Sequence, residues 1–299
     1  LTSHDCVNRL RRVFGVKKVG HGGTLDPSVT GVLPIAIGNA TRLITYLQGS
    51  KAYTGIIQLG SSTNTDDMQG EIIESKNWPI ISKNNLNNIL DSFRGELLQK
   101  PPLFSSVHLK GERAYKKARR GEEFNLTPRK ITINKLNIIK WSQKNGELEI
   151  YVDCSSGTYI RSLARDIGNK IGCGAYLKKL RRTKAYNFNQ SHTVLLPERL
   201  EFYPEIIKPK ILNPKNFLKH LYSFKLSSKE ELLKWRSGRQ IDFQSNLKRL
   251  ILPKQKESQD SISKKTKILV FDLKKDIAGI ADLDENSIIR PRIVFNAIG

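Results

Sequence analysis

Val7, Leu10, Val13 and Phe14 recur at helical spacing near the start of the chain, with Arg9, Arg11 and Arg12 on the other face. Thr2 or Ser3 can cap this helix and Gly15 can end it. From Val19 to Gly38 the period is lost. Glycines and prolines punctuate a loop there, and its apolar run, Val32 to Ile37, is short enough for a buried strand. Lys51 to Leu59 reads as a strand, and Glu71 to Glu74 is expected to pair with it across the polar turn Ser61 to Gly70. Ser82 is the expected cap of a helix carrying Leu86, Ile89, Leu90 and Phe93 and closed by Gly95. Ile131 to Trp141 and Glu147 to Cys154 predict two strands joined at Lys144, Asn145 and Gly146, and Thr158 to Ile171 predicts the helix that follows. Strands and helices mix without a regular βαβ beat, which predicts an α+β sheet domain rather than a doubly wound one.

Pro204, Pro209 and Pro214 stand among lysines and mark a connector. Beyond it, Ser227 or Ser228 can cap a helix running through Trp235 and stopped by Gly238. Strands at Ile268 to Leu273, Ala278 to Leu283 and Ile288 to Phe295 predict a small β-rich module, interrupted earlier by a polar loop at Lys254 to Lys267. The expected division is therefore a larger first domain over 1–202 with a basic insertion at about 100–130, a connector over 203–225 and a module over 226–299.

Charge narrows the partner. Lys and Arg number 51 against 28 Asp and Glu, a net +23 over 299 residues, so the expected ligand is a polyanion and nucleic acid leads. No apolar run reaches the roughly 18 residues of a membrane-spanning helix. Three cysteines, Cys6, Cys154 and Cys173, are too few and scattered for a disulfide framework or a tetrahedral zinc site, and point to a reducing cytoplasm. Walker, Rossmann and zinc spacings are lacking, so no cofactor is expected.

The chemistry concentrates in His21-Gly-Gly-Thr-Leu-Asp26-Pro27, followed by Thr30-Gly31-Val-Leu-Pro34 and Gly38-Asn-Ala-Thr-Arg42. Glycines at 22 and 23 let backbone approach a ligand, and Pro27 stiffens a turn that presents Asp26. Further blocks follow: Lys51-Ala-Tyr53, Thr63-x-Thr65-x-Asp67-x-x-Gly70, Gln99-x-Pro-Pro-x-x-Ser105, Cys154-Ser-Ser-Gly-Thr-Tyr-Ile-Arg161 and Leu180-Arg-Arg-Thr183. In this order they resemble the TruB-type tRNA pseudouridine synthases, which isomerise the T-arm uridine at tRNA position 55. The resemblance is strong from Leu1 to Thr183 and only suggestive in the last seventy or so residues. It departs at Ser105-Ser-Val-His108, where many relatives carry lysine in place of His108.

The resemblance implies the pseudouridine synthase fold: a mixed, largely antiparallel central sheet with flanking helices, plus a small C-terminal PUA-like domain. It implies that Asp26 is the nucleophile, whether toward the ribose or the uracil. It implies that Arg161 pairs with Asp26 and keeps it ionised, and that Tyr53 stacks on the target base and can accept a proton. His21 is expected to enter the T-loop as the uridine leaves its stack, and Tyr159 and Leu180 to line the uracil pocket. Arg42 is expected to face the RNA. The basic segment with Lys110, Arg113, Lys116, Lys117, Arg119 and Arg120 corresponds to the thumb that folds over the T-arm. A standalone monomer acting on tRNA, without an obligatory protein partner, is the resulting expectation. The alternatives are guide-RNA-dependent pseudouridylation, an RNA-binding tRNA folding helper with catalysis secondary, and a plain basic ribosome-associated protein.

Overall fold

Period-two burial along Lys51–Leu59, with Tyr53, Gly55, Ile57 and Leu59 buried and Thr54, Ile56 and Gln58 half-exposed, makes this segment a sheet strand with one face on a core. In the computed structural model, residues 1–109, 111–196, 211–242, 249–251, 253 and 266–298 are described. They divide into two compact units: Leu1–Cys6, Gly23–Pro34 and Gly49–Leu195 form the first, and Val7–Gly22, Ile35–Gln48 and Leu196–Gly299 the second.

The first unit is built on β1 (Lys51–Leu59), β2 (Gly95–Gln99), β3 (Arg129–Ser142), β4 (Glu147–Cys154) and β5 (Ala175–Ala185). They lie in the order β5-β1-β4-β3-β2, all antiparallel, with Phe188–Asn189 added outside β5 and Thr30–Gly31 pairing parallel to it. The sheet is thus mixed and largely antiparallel, in an α+β fold. Helices α2 (Lys83–Asp91) and α4 (Ile160–Ile171) close one face. Leu86 and Leu90 from α2, Leu163 and Ile167 from α4, and Ile57, Leu148, Ile150 and Ile133 from the strands form one buried cluster. Ser82 caps α2 through Asn85 N, and Gly172 in the left-handed region, at φ 94°, ends α4.

Three local expectations are corrected. The helix expected to close at Gly95 ends at Asp91, and Gly95, at φ 83°, opens β2 instead. Ile72–Ser75 does not pair with β1 but with Ser61–Thr63, and all four of its residues are exposed. The cause is Gly60, whose φ of 92° turns the chain off the end of β1 before a partner can be added. Val32 to Ile37 is not one buried strand: Val32 is buried, but only the half-buried Ile35–Ile37 forms a strand, against Val19–His21, because Pro34 has no amide hydrogen to extend the ladder. Between β2 and β3, His108–Leu109 pairs with Glu112–Arg113 and leads into α3 (Ala114–Arg119), held by Val107, Ala114 and Leu126.

Helix α1 (Ser3–Phe14) is capped by Thr2: its hydroxyl accepts from Asp5 N at 3.1 Å, and the Asp5 carboxylate accepts from Thr2 N at 2.8 Å. In the second unit, β6 (Tyr222–Lys225), β7 (Thr266–Phe271), β8 (Ile277–Leu283) and β9 (Ile288–Val294) form the middle of a six-stranded sheet. Helix α5 (Lys229–Arg236) buries Trp235, whose indole N–H donates to Ala278 O at 2.9 Å. Leu43 packs with Leu218, Leu269, Ile280 and Ile293, which explains why Ile35–Gln48 groups with this unit. The polar loop expected at Lys254 to Lys267 lies mostly outside the described residues, as does the connector up to residue 210. Among the described residues no helix is long and apolar enough to cross a membrane.

The parallel contact of Thr30–Gly31 with β5 makes a sharp prediction. A Cβ on Gly31, which sits at φ 110°, would lie 2.1 Å from Arg182 O. Gly31→Ala is therefore expected to cost about 3 kcal/mol or more from strain and overlap, read as a fall of roughly 10 °C in melting temperature.

Candidate active site

Asp26 is presented by a tight turn. Val29 N donates to Asp26 O at 2.9 Å, with Pro27 at the second position, where its fixed φ suits the turn. Two anchors hold this loop from either side. The Ser3 hydroxyl accepts from Leu25 N at 2.9 Å and donates to Leu25 O at 3.2 Å. The Arg182 guanidinium, buried within β5, donates to Gly23 O, Thr24 O and Val32 O. Gly23 is required for its φ of 124°, and the neighbour a side chain there would meet is Lys51 Nζ at 3.0 Å.

Arg161 faces Asp26 from the first turn of α4. Its Nε lies 2.9 Å from Asp26 Oδ2 and 3.7 Å from Asp67 Oδ2. The remaining nitrogens are engaged: Nη1 donates to Thr65 O and Nη2 to Phe104 O, both at 3.0 Å. The guanidinium side chain is 7% exposed whereas the Asp26 carboxylate is 43% exposed. Arg161 is thus a fixed cation, and Asp26 is charge-paired yet open to an incoming ligand. Asp67 is oriented in turn by Thr65 Oγ1 at 2.7 Å and Gln69 N at 3.0 Å.

Around this pair the structure opens a cleft of about 560 Å³, lined by Asp26, Tyr53, Tyr159, Arg161, Leu180 and, from α3, Arg119 among others. A second groove of about 420 Å³ shares Asp26 and Arg161 and continues along Thr30, Thr54, Lys179 and Arg181. Burial pushes the Tyr53 phenol up to about 12, with the Arg182 guanidinium pulling the other way. Burial, and then Arg182, also lowers Lys51. Tyr159 is bracketed by the buried Gln99, whose amide accepts from Tyr159 N at 2.8 Å and donates to Tyr159 O at 3.0 Å.

Of the residues singled out by sequence, Asp26, Tyr53, Tyr159, Arg161 and Leu180 meet at the cleft, joined by Arg119. His21 ends the strand Val19–His21 in the second unit. Arg42 also belongs to that unit, and its Nη1 donates to Val294 O at 3.0 Å. Lys110 lies outside the described residues. The cations of α3 are not equivalent. Lys117 pairs with Glu122 at 2.7 Å, and Arg120 forks onto Glu112 at 2.8 and 2.7 Å and reaches Glu122 at 2.6 Å. That fork holds the Glu112 carboxyl below its usual range. Arg113 and Lys116 are exposed, and Arg119 lies 5.4 Å over the Tyr115 ring.

Sequence reasoning assigned no role to Arg182, Asp67, Gln99 or the Ser3 contact. Strand parity carried a signal for Arg182: two residues after Leu180, it faces the same side of β5 and so points inward.

Residues 11–160 match the model of the TruB family pseudouridylate synthase N-terminal domain, and 161–204 that of the tRNA pseudouridylate synthase B C-terminal domain. The chain is 69% identical over 299 residues to the tRNA pseudouridine synthase B of Prochlorococcus marinus strain NATL1A, covering all of this chain and 95% of that one. It is 46% identical over 308 residues to the protein of the same name from Prochlorococcus marinus strain MIT 9313, again covering 100% of this chain and 95% of that one. Among solved structures, a chain of a Cbf5-Nop10-Gar1 complex superposes with a TM-score of 0.72 at 22% identity, covering 99% of this chain and 82% of that one. A chain of an H/ACA RNP bound to a substrate RNA containing 2′-deoxyuridine gives 0.67 at 20% identity, covering 99% and 81%. At that identity the likeness carries the fold, and the family rests on the sequence matches: the chain belongs to the TruB family of pseudouridylate synthases.

Proposed function

We propose that this enzyme converts the T-arm uridine at tRNA position 55 to pseudouridine, with Asp26 as nucleophile and the target base turned out of its stack into the cleft. The observation that carries this reading is Asp26, half-open and 2.9 Å from a buried, fully engaged Arg161, in a cleft walled by Tyr53, Tyr159 and Leu180. A uridine held in its stack is walled by its neighbours and cannot enter a cleft, so the nucleotide has to swing out, and aromatic and apolar walls then receive its faces. Asp26 attacks the nucleoside, the bond from C1′ to N1 breaks, the uracil turns, C5 bonds to C1′, and the bond to Asp26 breaks to give back the free carboxylate. The C5 proton leaves and N1 gains one, so the product has the atoms of the substrate.

Tyr53 closes the pocket on the base. With its phenol pushed up to about 12, only about one molecule in 10⁵ carries a phenolate at pH 7. Tyr53 therefore takes a proton only in concert with giving up its own. The net charge of +23 supplies attraction to the phosphate backbone, Arg113, Lys116 and Arg119 supply the thumb contacts, and the C-terminal sheet is read as a PUA-like RNA-binding module. The enzyme acts as a standalone monomer in this reading. Tritium release from a T-arm stem-loop carrying [5-³H]uridine at the target tests it: release of one tritium per target is expected, and release equal to background from that position would refute it.

The thumb's ion pairs sharpen the salt dependence. Each phosphate contact adds roughly 0.7 to 0.9 to the slope of log affinity against log salt. Replacing Arg113, Lys116 and Arg119 together with glutamine is expected to reduce that slope by about 2. The same change at Lys117 and Arg120, already held by Glu122 and Glu112, is expected to reduce it by less than about 1. Filter binding to tRNA across a salt series checks both values.

A further inference from the structure

We infer that Arg182 is a positioning residue for the isomerisation: its buried guanidinium clamps the loop that presents Asp26 and fixes Tyr53 across the sheet, so that nucleophile and base-stacking ring keep one geometry. The assignment rests on the site reading above for its catalytic consequence, and on geometry alone for the clamp. Arg182 is 1% exposed. Its Nε donates to Val32 O at 2.7 Å, Nη2 to Gly23 O at 3.0 Å and Nη1 to Thr24 O at 3.3 Å. These three carbonyls bracket Asp26 on both sides in sequence. A planar fork with donors in fixed directions reaches all three at once, which a lysine's single ammonium does not.

The second contact runs through the sheet. Arg182 and Tyr53 are register partners on β5 and β1, directly opposite each other, where side chains of paired strands meet. The groups acting on the Tyr53 phenol are Arg182, Cys154 and Asp26, and among these Arg182 alone is cationic. Among the described residues Arg182 has no carboxylate in salt-bridge range, and its side-chain acceptors are backbone carbonyls. Its charge is therefore not cancelled by a carboxylate, and the loop carbonyls are what it is fixed against. A buried cation with no carboxylate partner is costly to maintain, and fixing the loop is what it does in exchange.

The fold does not depend on the side chain alone. Val32 N donates to Arg182 O at 2.8 Å, and Thr30–Gly31 pairs with Arg181 and Arg182 through backbone, so Arg182→Met keeps the loop attached while removing the clamp. The test compares wild type, Arg182→Met and Arg182→Lys by amide hydrogen exchange of residues 23–32 and by steady-state kinetics on a tRNA transcript. In Arg182→Met, exchange in 23–32 is expected to rise about tenfold and kcat to fall by about 100-fold, with KM within about threefold, because misplacement of reacting groups by about 1 Å costs that much. Arg182→Lys, which keeps the charge and loses the fork, is expected to fall between the two on both measures. Exchange equal to wild type in both variants, or kcat within threefold of wild type in Arg182→Met, overturns the assignment. Should Arg182→Met not fold, Arg182→Lys decides by the same criteria. Should wild type form no pseudouridine, the functional reading falls, and the exchange measurement alone confirms or overturns the clamp.

Discussion

Asp26→Ala is expected to abolish pseudouridine formation, lowering turnover by at least about 10⁴-fold, as loss of a nucleophile that acts within a unit does. The fold should survive the change. Arg161 would keep Asp67 at 3.7 Å and its bonds to Thr65 O and Phe104 O, so its charge is not stranded. The lost carboxylate is 43% exposed, and pairs with an open member contribute little to stability. The expected stability change is therefore within about 1 kcal/mol, and tRNA affinity is retained. Single-turnover assays, urea denaturation and filter binding on the same preparation separate these effects. Loss of activity accompanied by unfolding would contradict the account.

Arg161→Met is expected to do the reverse and damage both properties. It removes the only cation within salt-bridge range of Asp26 among the described residues, together with the donors that satisfy Thr65 O and Phe104 O. Asp67, 13% exposed, loses its cationic neighbour as well. Breaking buried polar contacts on one side leaves the other side unsatisfied, and a cost of about 2 to 4 kcal/mol is expected. Turnover is expected to fall by about 100-fold or more, because Asp26 is no longer aimed. Arg161→Lys should recover part of the stability and little of the rate, since one ammonium cannot hold Asp26 and two carbonyls together. Urea midpoints and kcat for the two variants check this ordering.

Three strands of the first unit, β1, β3 and β4, were legible because burial there follows the two-residue period, as at Ile57 and Leu59, and the start of α2 was legible because Ser82 caps it, whereas β2 and β5 carried no such alternation. The meeting of Asp26, Tyr53 and Arg161 was legible from ordered motif blocks, since three separate segments carried them. What stayed hidden depended on geometry with no local signature. Gly60 redirects the chain at the end of β1, so Ile72–Ser75 found a different partner from the one its pattern implied. Arg182 reads in sequence as one of 51 basic residues, and its burial is set by strand parity together with a loop some 150 positions earlier in the chain. The basic segment reads as a net surplus of cations, yet Glu112 and Glu122 occupy Arg120 and Lys117 once the hairpin and α3 fold back. Charge counting sees the total and misses the pairing.

The central claim is that Asp26 performs uridine isomerisation at one place in tRNA. The most direct measurement incubates the purified protein, and Asp26→Ala in parallel, with an unmodified tRNA transcript and maps pseudouridine at nucleotide resolution by chemical labelling and primer extension. The account predicts a single modified position, the T-arm uridine at 55, present with the wild-type chain and absent with Asp26→Ala. Modification at another uridine, or modification that persists without the Asp26 carboxylate, would contradict it.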